Sequence, residues 1–127
     1  MSIRLRDGHR VFVFAEFLDM RAGFEKLSFM VREKMQKNLL EGDLYLFMGK
    51  KRKLIKAICY DGTGLILFAK RLEQGRFMAL DLFEDHTITR EELDILLRGS
   101  VIRRNKFGEN ALTKKDVSVK FQFNGAG

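Results

Sequence analysis

The sequence has no proline, no tryptophan and only one cysteine, Cys59. A single cysteine cannot form an internal disulfide, which excludes a disulfide-stapled secreted scaffold and favours a reducing cytosol. No stretch approaches the roughly 20 apolar residues of a membrane-spanning helix, and the first residues lack the apolar run of a signal peptide. We therefore expect a soluble, cytoplasmic protein that does not contact a membrane.

Residue types that carry chemistry are also scarce. His9 and His86 are the only histidines, and neither has a cysteine or a second histidine at metal-ligand spacing. A two-metal nuclease needs several carboxylates, but Asp19 fits a helix cap and Asp61 fits a turn. The Asp-Gly-Thr-Gly segment at 61–64 lacks the Lys-Ser/Thr ending of a phosphate loop. We expect no catalytic residue, metal site or cofactor, and a metal-dependent nuclease is the least favoured alternative.

The rest of the composition is that of one globular domain. The chain has 127 residues, of which 46% are hydrophobic and 32% charged, and twelve phenylalanines favour a core filled with Phe. We expect residues 1–104 to form a single domain. Residues 105–127 would be a C-terminal extension. Apolar and polar residues alternate at 117–123, which predicts one added strand, and the residues after it should fray.

Short apolar stretches between turn residues predict the strands. They lie at 10–16, 44–48, 54–60 and 65–69, and residues 77–83 form a possible fifth. The last three of the four firm strands follow each other through short turns, which predicts an antiparallel meander.

Two helices are predicted from apolar periodicity and capping residues. Asp19 offers an N-cap for a helix over about 20–37, whose apolar residues recur every three or four positions. Thr89 and Glu92 have the spacing of a capping box before a short leucine-rich helix that ends near Gly99. The order β-α-β-β-β-(β)-α-(β) predicts an α+β fold, an antiparallel sheet of three to five strands with both helices on one face.

The charge is positive and clustered. The formal net charge is +7, from 24 basic and 17 acidic residues, which fits a partner rich in phosphate. In a meander the turns after the second and fourth strands lie at the same end of the sheet, so two clusters should form one patch. The candidate DNA-contacting residues are Lys50, Lys51, Arg52, Lys53, Lys56, Lys70, Arg71 and Arg76, with Arg21 as a weaker candidate.

Two interpretations of this patch remain open. Lysine-rich turns are often solvated loops that protect sheet edges from aggregation. The alternative is a surface that neutralises phosphates and supplies affinity without reading sequence. No helix-turn-helix, zinc-finger or base-stacking signature is present to read bases.

Several segments together resemble one known family, the TnpB accessory protein of the bacterial insertion-sequence family numbered sixty-six. The resemblance runs from about residue 10 to residue 104. The segments that carry it are D-M-R-x-G at 19–23, G-D-L-Y-L-F at 42–47, D-G-x-G at 61–64, K-R-L-E-x-G-R-F at 70–77 and L-D-I-L-L-R-G at 93–99.

The resemblance implies a non-enzymatic, DNA-associated accessory protein that is encoded beside a separate transposase and needed for movement of the element. Its expected partners are DNA, the transposase and another element-encoded accessory protein. The alternative is an interaction module that docks on the transposase without touching DNA. In that case Asp61, Gly62 and Gly64 would shape a docking loop, and strand 117–123 would pair with a partner's sheet edge.

Overall fold

A five-stranded sheet is the centre of the molecule. The computed structural model describes residues 8–83 and 86–99, so the predicted strand at 117–123 and the rest of the extension lie outside the described residues. The described strands, in spatial order β4-β3-β2-β1-β5, are β1 Val11–Phe17, β2 Leu44–Met48, β3 Leu54–Tyr60, β4 Leu65–Arg71 and β5 Thr87–Ile88. The α+β class is confirmed.

Strands β2, β3 and β4 form the predicted antiparallel meander. Gly62 closes the β3–β4 turn at φ +102, a conformation that glycine adopts without strain. Strand β1 pairs with β2 in parallel and with β5 antiparallel. A parallel neighbour requires a crossover connection, and the helical segment between β1 and β2 supplies it.

The first helix is shorter than its periodicity predicts. Helix α1 spans Phe24–Phe29 and continues as a π-helical turn over Met30–Lys34. Asp19 does not cap it, because its Oδ1 accepts the Arg21 amide at 2.9 Å and closes a local turn. Such side-chain bonds compete with helix formation, so the helix begins only after Gly23.

The second helix, α2, spans Arg90–Arg98 and begins with the predicted capping box. The Thr89 Oγ1 accepts the Glu92 amide at 3.0 Å, and the Glu92 Oε1 accepts the Thr89 amide at 2.8 Å. The prediction of a fifth strand over 77–83 is wrong, because this segment contains a 3₁₀ turn at Leu80–Leu82. Its buried residues pack against the same face of the sheet as α2.

The two helices cover opposite faces of the sheet, so placing both on one face is wrong. One core cluster joins Val11, Val13, Leu44 and Leu46 to the leucines of α2. The other joins Phe12, Tyr45, Phe47 and Ile58 to Leu27, Met30 and Val31 of α1 and its π turn. Successive strand residues point to opposite faces, and the central strands are apolar at almost every position. Both faces therefore need a cover.

The starts of β1 and β2 are held together by one buried acid. Asp43 is 5% exposed, and its Oδ1 accepts the Arg10 amide at 2.8 Å. A buried carboxylate without such a donor would be costly, so this contact helps to set the parallel register. Among the described residues, no helix has the length and apolarity required to traverse a bilayer.

Candidate nucleic-acid interface

The two predicted basic clusters lie side by side at one end of the sheet. The amide of Leu72 donates to the Lys53 carbonyl at 2.8 Å, and the amide of Phe77 donates to the Arg52 carbonyl at 2.7 Å. These bonds join the β2–β3 turn to the connection that follows β4, as the meander topology predicts. We call residues 49–56 and 70–77, together with the loop 17–21 beside them, the basic end.

The β2–β3 turn is tightly closed. The Arg52 amide donates to the Gly49 carbonyl at 2.9 Å, and Arg52 has φ +58, a left-handed conformation that few residues other than glycine adopt. A Cβ on Gly49 would lie 2.6 Å from the Met20 Cγ, so the loop before α1 packs directly on this turn. The turn is held by these contacts and presents Lys50 and Lys51 to solvent.

Two of the predicted DNA-contacting lysines are engaged within the protein. The Lys53 Nζ donates to the Gly75 carbonyl at 2.9 Å, and the Lys56 Nζ donates to the Ala22 carbonyl at 2.8 Å. Both contacts are partly buried. Lys53 therefore clamps the two basic segments together and Lys56 anchors the loop before α1.

Arg21 is exposed but paired. Its side chain is 91% exposed, and its Nη2 lies 2.6 Å from the Asp19 Oδ2, with the Nε 3.1 Å from Oδ1. The guanidinium lowers the pKa of Asp19 far below its ordinary range, chiefly through the side-chain hydrogen bonds. Asp19 is therefore a carboxylate whose charge Arg21 offsets, and the pair adds little net charge.

The remaining predicted cations divide between the two faces of the sheet. Lys70 pairs with Ile55 in the register and Arg71 with Leu54, so strand alternation directs them to opposite sides. The Arg71 Nε is 3.6 Å from the Glu73 Oε2, and both side chains are exposed, so this ion pair is weak. Arg76 is exposed in the connection after β4.

A groove of about 600 Å³ runs between the loop after β1 and the β2–β3 turn. Its apolar lining comes from Phe17, Leu18, Met20 and Leu54, and we call its basic lining residues the rim. The rim cations are Lys50, Lys51, Lys53 and Arg71. We call this feature the basic groove. It gathers four of the predicted site residues around one concave surface.

Phe17 is the groove residue that sequence reasoning missed. The composition predicts a core filled with Phe, yet Phe17 is 49% exposed. Phe17 lies at the end of β1, whose residues change from buried at its start to exposed at its end. The available signal was its position after Glu16, next to the loop, where the strand leaves the core.

Two exposed cations on α1 and its π turn, outside the basic end, lie against an aromatic ring. The Lys26 Nζ and the Arg32 Cζ lie 5.4 and 5.8 Å from the Phe29 ring centroid. These are cation–π distances.

The opposite end of the sheet carries the Asp-Gly-Thr-Gly turn. The Asp61 carboxylate accepts the Thr63 amide, the Thr63 hydroxyl and the Gly64 amide, each at 2.9 Å. These bonds lower the pKa of Asp61, the Thr63 amide most. Beside the turn is a groove of about 330 Å³ lined in part by Tyr60, Asp61 and Gly62.

The single cysteine lies outside the basic end and is buried. Burial raises the pKa of the Cys59 thiol, with a smaller contribution from the charge of Asp61. A thiol with a raised pKa is a poor nucleophile near neutral pH. Within residues 8–83 and 86–99, no group of three or more His, Cys, Asp or Glu residues is arranged to hold a metal ion.

Comparison with known proteins points to one family. The family model described as "IS66 Orf2 like protein" matches residues 9–107. Two curated proteins of Sinorhizobium fredii (strain NBRC 101917 / NGR234) are similar to the chain. "Uncharacterized protein y4hO" is 44% identical over 69 residues, which is 54% of this chain and 60% of that protein. "Uncharacterized protein y4jC" is 32% identical over 71 residues, 56% of this chain and 61% of that protein.

The matched region thus spans about three fifths of the length of each of these relatives. No solved structure matches the chain.

Proposed function

Because the chain belongs to the family of IS66 Orf2 like proteins, which is associated with transposition, we propose that it is a non-enzymatic accessory protein of DNA transposition. It binds DNA through the basic end and works beside a separate transposase in the bacterial cytoplasm. A second element-encoded accessory protein is a further partner. Family membership supports the role in transposition, and the geometry of the basic end supports the contact with DNA.

The observation that carries the DNA proposal is the concentration of charge at the basic end. Its segments hold nine basic and two acidic residues, Asp19 and Glu73. Arg21 offsets the charge of Asp19. Neutralising DNA phosphates releases condensed counterions, so such a surface binds DNA with an affinity that falls as salt rises. These contacts position a protein on DNA without specifying sequence.

The non-enzymatic part of the proposal is supported by how the acidic side chains are used. The Asp19 carboxylate is engaged by Arg21, and the Asp61 carboxylate is engaged by its own turn. A two-metal nuclease needs carboxylates that converge on the metals. Both of these aspartates instead stabilise local backbone structure.

The test is DNA binding across a salt series. Fluorescence anisotropy with a labelled element-end duplex and a random duplex of the same length gives the affinity and its salt dependence. The double variant Lys50→Ala/Lys51→Ala removes two exposed cations from the groove rim. We expect its log–log salt slope to be shallower by about 2, since each lost phosphate contact changes the slope by roughly 0.9.

The matched control is Lys26→Ala/Lys34→Ala, which removes the same charge from exposed positions on α1 and its π turn. We expect its salt slope to stay within about 0.5 of the unmodified protein, because neither lysine belongs to the basic end. If the two double variants lose DNA affinity and salt slope equally, binding depends on the net charge of the protein and not on the basic end. The absence of binding to either duplex at low salt would overturn the proposal.

A second candidate function is docking on the transposase without contact to DNA. It is favoured by the self-closed Asp-Gly-Thr-Gly turn, a rigid loop with a groove of about 330 Å³ beside it. Size-exclusion chromatography of the protein with purified transposase tests it. A stoichiometric complex that persists in high salt and is lost in Gly64→Trp, a position with open space for a side chain, would favour docking through this loop.

A further inference from the structure

We propose that the basic groove holds an unpaired nucleobase, so that the protein prefers DNA with single-stranded nucleotides over continuous duplex. The inference rests on the proposed binding of DNA and names the form of DNA that the groove fits.

The groove has a feature that binding to phosphates does not require. Much of its lining is apolar and comes from Phe17, Leu18, Met20 and Leu54. Duplex DNA presents phosphates and sugars at its surface and keeps the flat faces of its bases stacked inside. A groove lined by both apolar and basic side chains is complementary to a strand whose bases are exposed.

Phe17 is suited to stack on a base. Its side chain is 49% exposed, at the end of β1 and on the wall of the groove. The amide of the next residue, Leu18, donates to the Met48 carbonyl at 3.0 Å, which ties the backbone beside the ring to β2. An aromatic ring on a fixed backbone offers a stacking surface with little further entropy to lose.

The size and charge of the groove match one or two nucleotides. Its volume of about 600 Å³ lies within the roughly 300–1,000 Å³ typical of small-molecule sites. The rim lysines Lys50 and Lys51 are exposed beside the apolar lining, so they are available to flanking phosphates. The one carboxylate of the lining, Asp19, is held by Arg21 and therefore repels an incoming phosphate less.

The structure provides a matched pair of exposed phenylalanines for the test. Phe17 is 49% exposed and lines the groove, whereas Phe24 is 47% exposed and does not line it. The variants are Phe17→Ala, Phe17→Tyr, which keeps a stacking ring, and Phe24→Ala. Binding is measured by anisotropy at one salt concentration with a single strand, a blunt duplex and a duplex that carries a single-stranded overhang.

We expect the unmodified protein to bind the single strand and the overhang more tightly than the blunt duplex. Phe17→Ala should weaken binding of the single strand by roughly 5- to 150-fold, the loss typical of one stacked base. Binding of the blunt duplex should change by less than about twofold. Phe17→Tyr should retain the preference, and Phe24→Ala should behave like the unmodified protein.

A second readout needs no variant. A 2-aminopurine base in the overhang should change its fluorescence when the unmodified protein binds, because the base exchanges stacking on its neighbouring bases for contact with the groove. Thermal unfolding followed by circular dichroism checks that each variant is folded. If Phe17→Ala does not fold, the fluorescence of 2-aminopurine with the unmodified protein still decides the question.

The outcomes separate this inference from the proposed function. Equal affinity for the three DNAs, with no change in 2-aminopurine fluorescence, would overturn the nucleobase site and leave duplex binding intact. No binding to any DNA would overturn the proposed function as well. If an acidic peptide of the transposase displaces the DNA, and does so in high salt as well, the groove binds a protein partner. That result would also overturn the inference.

Discussion

We expect Lys56 to stabilise the fold rather than to contact DNA. Its Nζ donates to the Ala22 carbonyl at 2.8 Å in a partly buried contact that ties β3 to the loop before α1. The change Lys56→Met keeps most of the aliphatic stem and removes only the ammonium group. A hydrogen bond that involves a charged donor contributes about 1.5–3 kcal/mol to stability. We expect the free energy of unfolding to fall by about that amount.

Two assays on the same variant separate the roles. Urea unfolding followed by circular dichroism measures the free energy, and DNA binding across a salt series measures phosphate contacts. We expect Lys56→Met to lower the urea midpoint, with an unchanged m-value and an unchanged salt slope. The comparison variant is Lys51→Met, at an exposed position of the turn. It should change stability by less than about 0.5 kcal/mol and make the salt slope shallower by about 0.9.

The reverse result would refute this reasoning. If Lys56→Met leaves the unfolding free energy within about 0.5 kcal/mol of the unmodified protein and reduces the salt slope by about 0.9, then Lys56 contacts phosphate directly. The hydrogen bond to Ala22 would then contribute nothing measurable to stability. If Lys56→Met and Lys51→Met each lower the free energy of unfolding and also make the salt slope of DNA binding shallower, the turn has rearranged. The assignment of separate roles to the two lysines would then fail.

The other predictions concern the opposite-face placement of the helices and the turn at the far end of the sheet. Leu27→Ala and Leu96→Ala should each cost about 2–5 kcal/mol of stability and should be additive in the double variant, because the residues belong to separate core clusters; strong non-additivity in urea unfolding would contradict that placement. The folded-state pKa of Asp61 lies below its ordinary value of 3.8, so its contribution is present above that value and is lost as pH falls through the folded pKa. Asp61→Asn should therefore make the urea midpoint less dependent on pH below about 4. If the urea midpoint of the variant depends on pH as strongly as that of the unmodified protein, the Asp61 hydrogen bonds do not stabilise the fold.

The meander was predictable because its determinants are local. Strands 44–48 and 54–60 have the predicted bounds, and β4 extends two residues beyond 65–69. Apolar runs bounded by Gly-containing turns specify such hairpins within a few residues. The capping box of α2 was likewise read from the spacing of Thr89 and Glu92 and is present in the structure.

The first helix shows where periodicity misleads. Met20 and Phe24 continue the helical spacing of Leu27 and Val31, but Phe24 is exposed, and Met20 lies in the loop that packs against Gly49. The Asp19 side chain bonds to the Arg21 amide and holds that loop out of the helix. A periodic pattern cannot distinguish a helical turn from a packed loop when both bury apolar side chains.

The candidate site was predicted in part. The clustering of cations and the joining of the two segments followed from sequence and topology. The engagement of Lys53 and Lys56 with backbone carbonyls did not, since each acceptor is distant in sequence. The exposure of Phe17 was also unpredictable from composition, because most apolar aromatic residues of a small domain lie in its core.

By itself, the sequence determined the α+β class, the meander, the capping box, the clustered positive charge and, through its motifs, the family. Each depends on residues that are close in the chain or on composition. Only the tertiary structure decided that β1 lies parallel to β2, that the helices cover opposite faces, and that Phe17 and four cations line one groove. These features depend on which distant segments pack together, and that is set by burial of the whole apolar surface rather than by any local pattern.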